Sequence, residues 1–136
     1  MRKTIKLPPN HHRSLSATAQ AVERTLDQLQ SILQCKGIEK LTSRIRASYS
    51  DRSRQDLLDA ILEIRKANEE MVRTFELQKS ERDEARIVRA AITHLWVILS
   101  DSTSKGMKGF GALSPELASE VNRHVHRLLD LLKEFE

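Results

Sequence analysis

Apolar residues recur along most of the chain with the three- and four-residue spacing of α-helices. The first run covers residues 15–33 and ends just before Gly37, a residue that often follows a helix because it readily adopts a left-handed conformation. A second run covers residues 57–75 and follows Ser53, which we expect to cap that helix together with Asp56. The pattern therefore predicts two helices in the first half of the chain.

The most apolar stretch is 90–99, which contains the only tryptophan. Successive residues lie about 100° apart on a helix, so the apolar residues between 87 and 99 fill an arc of about 180°. A helix that rests on one neighbour needs a stripe of only ~100°, so we expect this helix to be covered on two or more sides. Ser114 and Pro115 then form a strong start signal for another helix, whose apolar positions continue to Phe135.

The stretch between the second and third runs leaves two architectures open. Residues 78–86 contain no glycine or proline but also no large apolar residue. If Ser80 and Asp83 cap a new helix, the chain is an up-down antiparallel four-helix bundle. Alternatively, residues 53–101 form one rod of about 70 Å within an intertwined helical dimer. We favour the break, because average helices are far shorter, and we interpret residues 38–52 as a connector.

Composition supports an all-α fold and one folded domain. The chain has 136 residues, of which 39% are hydrophobic, 31% are charged and only 4% are aromatic, a mixture that favours helices over sheets. We expect a basic arm at residues 1–13 and a single helical domain at 14–136. The lone Cys35 excludes an internal disulfide, and no apolar stretch approaches the ~20 residues of a membrane span. These features predict a cytoplasmic protein that does not enter membranes.

Basic residues are concentrated in particular segments, although the whole chain carries a net charge of only +4. Residues 36–54 contain six basic and two acidic residues, and the loop at 102–113 adds two lysines. An up-down bundle places both segments at one end, beside two helix N-termini that carry partial positive charge. This end either binds phosphate or nucleic acid or is an ordinary solvated, positively charged bundle end. The candidate binding residues are Lys36, Lys40, Arg44, Arg46, Arg52, Arg54, Lys105 and Lys108.

Two histidines at the margins of apolar faces define a candidate metal site. His94 and His124 come within about 3 Å of the same level in an antiparallel hairpin, and Glu69 lies near that level. Clusters of this type bind metals inside helical bundles. The chain lacks a Glu-x-x-His pair, however, and a buried polar layer that fixes helix register is the alternative. We expect no bound metal and no cofactor.

Arg89 and His94 are separated by four residues, and this Arg-x4-His spacing resembles that of HEPN-type ribonucleases, which are small helical bundles. The resemblance rests on these two positions. It implies that Arg89 and His94 cut RNA at a dimer interface. The two residues lie about 140° apart on one helix, and acid–base chemistry needs both groups near one substrate atom, so a composite site would be required.

Taken together, these patterns favour a non-enzymatic helical module that acts in interaction or regulation. We expect it to bind itself as a homodimer, or another protein, because the third helix is apolar over a wide arc and apolar residues lie outside its main face. Trp96 and Val97 are the predicted interface residues. The alternatives are nucleic-acid or phosphate binding through the basic segments and, beneath that, HEPN-like RNA cleavage.

Overall fold

A computed structural model describes residues 3–136 and consists of helices joined by short connections. The all-α prediction with four helices is confirmed. The elements are α1 (Pro9–Gln34), β1 (Ile38–Glu39), β2 (Arg44–Ile45), α2 (Asp51–Thr74), α3 (Glu84–Asp101) and α4 (Pro115–Leu132), with short 3-10 turns at Lys108–Phe110 and Lys133–Phe135.

The chain breaks after α2, so the alternative of one helix over residues 53–101 is wrong. Glu76 has a left-handed backbone with φ of 48°, and its N–H donates to the Arg73 carbonyl at 3.4 Å. The Leu77 N–H donates to the Val72 carbonyl at 2.9 Å. These two bonds form a Schellman motif, which satisfies the last carbonyls of a helix and turns the chain away from its axis. Leu77 is buried after this turn.

Two of the predicted helix starts are wrong by three residues. Ser50, not Ser53, caps α2, because the Ser50 hydroxyl accepts the Ser53 N–H at 3.1 Å. Asp83, not Ser80, caps α3 by accepting the Arg86 N–H at 3.2 Å. In both cases the oxygen that accepts the bond belongs to the residue just before the helix, whose own backbone is extended.

The start of α4 is as predicted. The Ser114 hydroxyl accepts the Leu117 N–H at 3.3 Å, and Pro115 occupies the first turn. Pro at this position loses no hydrogen bond, since its missing N–H would have no partner inside the helix.

The connector between α1 and α2 is a small β-hairpin rather than a short helix or a plain turn. Ile38 pairs with Ile45 and Glu39 pairs with Arg44 in antiparallel register. Gly37, with φ of 86°, turns the chain into β1, and a Cβ at this position would lie 3.3 Å from the Ile45 carbonyl oxygen. The two β-branched residues and this glycine are the local features that favour strands here.

The chain divides into two compact units, of which the first ends at Ser80. In this N-terminal hairpin, α1 packs on α2 around Leu26, Leu33 and Ile61. Polar side chains fix the pairing: Asn68 donates to the Ala19 carbonyl at 3.2 Å, and Arg65 donates to Asp27 at 2.8 Å and to Gln30 at 2.7 Å. The first hairpin therefore has a small closed core.

The predicted arm of residues 1–13 is partly helical, because α1 begins at Pro9. Ahead of it, the Ile5 N–H donates to the Thr74 carbonyl at 2.8 Å. His12 Nε2 lies 2.9 Å from the Glu76 carbonyl oxygen. These contacts tie residues 5–12 to the end of α2.

The second unit, Glu81–Glu136, is a hairpin in which α3 packs on α4. Asn122, in the middle of α4, donates to the Ser104 hydroxyl at 2.9 Å and accepts the Ser104 N–H at 2.9 Å, so the loop that follows α3 is attached to α4. The seam between the helices is only half-buried and includes Ile92, Leu99 and Val125. Neither helix contains a fully buried side chain.

Along residues 3–136, no helix is both long enough and apolar enough to cross a membrane.

Candidate interaction surfaces

Four of the basic residues predicted to bind anions are exposed around the β-hairpin: Lys40, Arg44, Arg46 and Arg52. Lys36 is exposed too, but its ammonium lies 3.0 Å from the Asp51 carboxylate. This hydrogen bond and the lysine charge hold the pKa of Asp51 below its usual value. Lys36 is thus paired with an ionised carboxylate.

Arg54 must be removed from the predicted anion surface. Its residue exposure is only 7%, and it donates from Nη1 to the Leu33 carbonyl at 2.9 Å and from Nη2 to the Tyr49 carbonyl at 3.4 Å. The guanidinium binds a carbonyl in the last turn of α1, where a helix favours positive charge and has carbonyls without intrahelical partners. Arg54 is a structural cap, and its Nε, buried without a partner, does not reach the surface.

The remaining two predicted basic residues, Lys105 and Lys108, are exposed in the loop of the C-terminal hairpin. The hydroxyls of Ser102 and Thr103 in this loop are already bonded to nearby backbone groups. Ser102 donates to the Ile98 carbonyl at 2.8 Å, and Thr103 donates to the Ser100 carbonyl at 3.0 Å and accepts the Gly106 N–H at 3.1 Å. These bonds stabilise the turn itself.

The candidate metal residues do not form a ligand group. His94 and His124 are both exposed, so they are not members of a buried polar layer, and that expectation is wrong. His124 Nε2 lies 3.7 Å from a Glu120 carboxylate oxygen. Across residues 3–136, no three His, Cys, Asp or Glu side chains are placed to hold a metal ion, and Glu69 instead pairs with Arg73 at 2.9 Å.

Arg89 and His94, the pair that resembles the HEPN ribonuclease spacing, are both exposed on α3. Within one copy they face directions about 140° apart. A single chain therefore does not present both groups to one substrate atom, which acid–base catalysis requires.

Trp96 and Val97, the predicted interface residues, are 54% and 50% exposed. Trp96 lies four residues after the seam residue Ile92 and flanks the seam on one side. Val97 is rotated further, to the outer surface of the hairpin. Both side chains have surface free for a partner.

A larger apolar surface lies on the other flank of the seam and was missed in the sequence. On α3, Leu95 comes three residues after Ile92, and Ile98 comes one residue before Leu99. Around the helix axis, Leu95 is rotated about 60° from Ile92, and Ile98 is rotated about 100° from Leu99 in the same direction. On α4, apolar residues are rotated from the seam by the same angles. We call the exposed apolar residues of both helices on this side the apolar face. They are all more than 40% exposed: Ile87, Leu95, Ile98, Leu117, Leu128, Leu131 and Phe135.

The residues of the apolar face on α3 and α4 meet on one side of the hairpin. The two helices are antiparallel. Rows of side chains that are rotated from the seam by the same angle, each viewed from the N-terminus of its own helix, therefore point to the same side of the hairpin. In the sequence of α3, two heptad patterns of apolar residues overlap. The pattern that contains Ile92 and Leu99 forms the seam, and the other forms the apolar face.

The seven side chains of the apolar face are between 42% and 58% exposed. Clusters of exposed apolar side chains of this kind mark surfaces that bind other molecules.

This chain matches no known protein family, no curated protein and no solved structure.

Proposed function

We propose that this protein is a non-enzymatic helical interaction module that associates with a second copy of itself. The observation that carries the proposal is the C-terminal hairpin, in which the most apolar helix of the chain has no fully buried side chain. Two short helices with a half-buried seam remove too little apolar surface from water to offset the entropy of ordering them. A partner supplies the missing burial.

The free energy gained by covering the apolar face is large enough to offset the cost of forming a dimer. Full burial of a large apolar side chain is worth about 1.5–3 kcal/mol. The seven side chains of the apolar face are about half exposed, so covering them in both copies contributes roughly 10–20 kcal/mol. Association costs about 4–15 kcal/mol, which leaves a net gain over most of this range.

Sedimentation velocity of the full chain tests the proposal. Over protein concentrations from about 1 to 100 μM, we expect a concentration-dependent shift from the 15.6 kDa monomer to a species of twice that mass. A monomer throughout this range would contradict self-association.

A second candidate function is nucleic-acid binding by the β-hairpin of the N-terminal unit. Lys36, Arg44 and Arg46 line a cleft of about 380 Å³, and Lys40 and Arg52 are exposed nearby. Basic side chains on a projecting ribbon attract the phosphate backbone regardless of sequence.

Fluorescence anisotropy with a labelled RNA oligonucleotide tests this candidate. We expect binding at about 50 mM salt that weakens steeply toward 200 mM. The double variant Arg44→Gln, Arg46→Gln should weaken binding, whereas Lys66→Gln, which removes an exposed charge from α2, should not. Absence of binding at the lower salt concentration, or equal loss in both variants, would exclude the β-hairpin as the binding surface.

A further inference from the structure

We infer that the basic β-hairpin takes single-stranded nucleic acid, and that Tyr49 provides the ring on which a base of that strand stacks. This rests on the second candidate function, nucleic-acid binding by the β-hairpin, and names the class of strand that binds. A duplex keeps its bases stacked on one another, whereas a single strand leaves base faces free for an aromatic side chain. An exposed aromatic ring among basic residues therefore favours the single strand.

Tyr49 stands between basic residues on an exposed part of the chain. It is the only tyrosine of the protein and is 55% exposed. Arg46 lies three residues before it and Arg52 three residues after it, and both are exposed. Because three residues of extended chain span at most about 11 Å, both guanidinium groups lie within reach of the phosphates beside a base stacked on the ring. Surfaces that bind single strands combine phosphate contacts and aromatic stacking in this way.

The hairpin adds a second arginine on the same face as the first. Arg44 and Arg46 are two residues apart, and alternate residues of an extended chain point to the same side. In the register of the two strands, Gly37 lies opposite Arg46. Glycine has no side chain to cover the arginine, and a Cβ at this position would lie 3.3 Å from the Ile45 carbonyl oxygen. The cleft of about 380 Å³ beside these residues is therefore open to a phosphate group.

The acidic residues of the segment leave this surface positively charged. Residues 36–54 contain two carboxylates, Glu39 and Asp51. Asp51 lies 3.0 Å from the Lys36 ammonium, and Glu39 lies opposite Arg44 in the hairpin. The exposed basic residues other than Lys36 number four against the single carboxylate of Glu39, and they are Lys40, Arg44, Arg46 and Arg52. The surface is thus complementary to a phosphate backbone.

The backbone of Tyr49 is fixed before a ligand arrives. Its carbonyl accepts Nη2 of the buried Arg54 at 3.4 Å, and Nη1 of the same guanidinium donates to the Leu33 carbonyl at the end of α1 at 2.9 Å. The next residue, Ser50, caps α2. Because the chain that carries the ring is already ordered, little conformational entropy is lost when a base stacks on it.

The test compares Tyr49→Ala with the matched control Tyr49→Phe, which keeps the ring, by fluorescence anisotropy of the full chain at about 50 mM salt. The labelled probes have about 12 nucleotides and are single-stranded RNA, single-stranded DNA of the same sequence and the RNA duplex. Tyr49→Ala should weaken binding of the single strands about 5- to 150-fold, the effect of losing one stacked base. Tyr49→Phe should change it less than about threefold. Neither variant should change duplex binding by more than about threefold, and the single strand that binds more tightly identifies the preferred sugar.

Salt dependence separates stacking from charge. Tyr49→Ala should leave the slope of log affinity against log salt concentration unchanged, because it removes no charge. The double variant Arg44→Gln, Arg46→Gln should reduce that slope by about 1.4, which is about 0.7 for each lost phosphate contact with a single strand.

The outcomes distinguish the role of Tyr49 from nucleic-acid binding itself. If none of the probes binds the unmodified chain, nucleic-acid binding by the β-hairpin fails. If the arginine double variant weakens binding but Tyr49→Ala does not, nucleic-acid binding stands and the stacking role of Tyr49 is overturned. Equal losses in Tyr49→Ala and Tyr49→Phe, or equal losses for the single strands and the duplex, would overturn it too. Circular dichroism checks that each variant retains its helix content.

Discussion

Of the two hairpins of this protein, the one with the most apolar helix buries its side chains less completely. Helix α3 contains the most apolar stretch of the chain but has no fully buried residue. The N-terminal hairpin, rich in charged residues, closes a core around Leu26, Leu33 and Ile61. An apolar run therefore does not have to lie in the core of its own hairpin. Where it exceeds what the neighbouring helix can cover, it indicates a partner.

Length and polar contacts explain why the first hairpin closes. Its helices have 26 and 24 residues, against 18 and 18 in the second. Arg54 binds the end of α1, and Arg65 and Asn68 connect the helices along their length. We therefore expect the N-terminal hairpin to be the more stable element in the isolated chain.

The largest expected effect distinguishes the closed core of the first hairpin from the half-buried seam of the second. Leu26→Ala leaves a cavity in the closed core and should lower the free energy of unfolding by about 2–4 kcal/mol. Leu95→Ala truncates a side chain that is 43% exposed, in a hairpin that we propose is not stably folded in the monomer, so it should change the free energy of unfolding of the monomeric chain by less than about 1 kcal/mol. Urea unfolding followed by circular dichroism measures both. Equal losses would show that the two hairpins are equally well packed.

A smaller effect is expected at the cap of α1. Arg54→Met keeps much of the side-chain volume but removes the hydrogen bonds to Leu33 and Tyr49, which should cost about 1–3 kcal/mol. Arg52→Met, at an exposed position two residues away, should change stability by no more than about 0.5 kcal/mol. Thermal unfolding of the two variants distinguishes a structural arginine from a surface one, and similar melting temperatures would contradict the role assigned to Arg54.

The smallest effect concerns the turn that ends α2. Glu76 adopts the left-handed conformation that costs a non-glycine residue about 1–2 kcal/mol. Glu76→Gly should therefore raise the free energy of unfolding by about 0.5–1 kcal/mol, after the greater flexibility of the unfolded chain is allowed for. The same substitution at Glu70, inside α2, should lower it by a similar amount. A loss of stability in both variants would mean that the turn does not strain Glu76.

Much of the fold could be predicted from periodicity and caps, because those signals are local. Ser114 and Pro115 started α4 as expected, and the seven-residue spacing of Ala19, Leu26 and Leu33 marked the buried side of α1. The β-hairpin was missed because two strands of two residues are too short to show alternation.

The candidate surfaces were harder to predict, since exposure depends on which neighbours a helix meets. Arg54 stands in a basic segment and was indistinguishable in sequence from Arg52, yet it lies one turn into α2 and reaches the end of α1. His94 and His124 were expected in a polar layer because they border apolar residues, but those residues form an exposed face rather than a core. The sequence indicated the apolar arc without indicating which part of it is covered.

Hydrogen exchange measures whether the C-terminal hairpin, as we propose, is folded stably only when a second copy covers it. Amide exchange of the full chain is followed by mass spectrometry at protein concentrations above and below the dimer dissociation constant. We predict that protection of α3 and α4 falls sharply on dilution while α1 and α2 keep theirs. Protection of α3 and α4 that is the same at every concentration would show that the C-terminal hairpin is stable without a second copy.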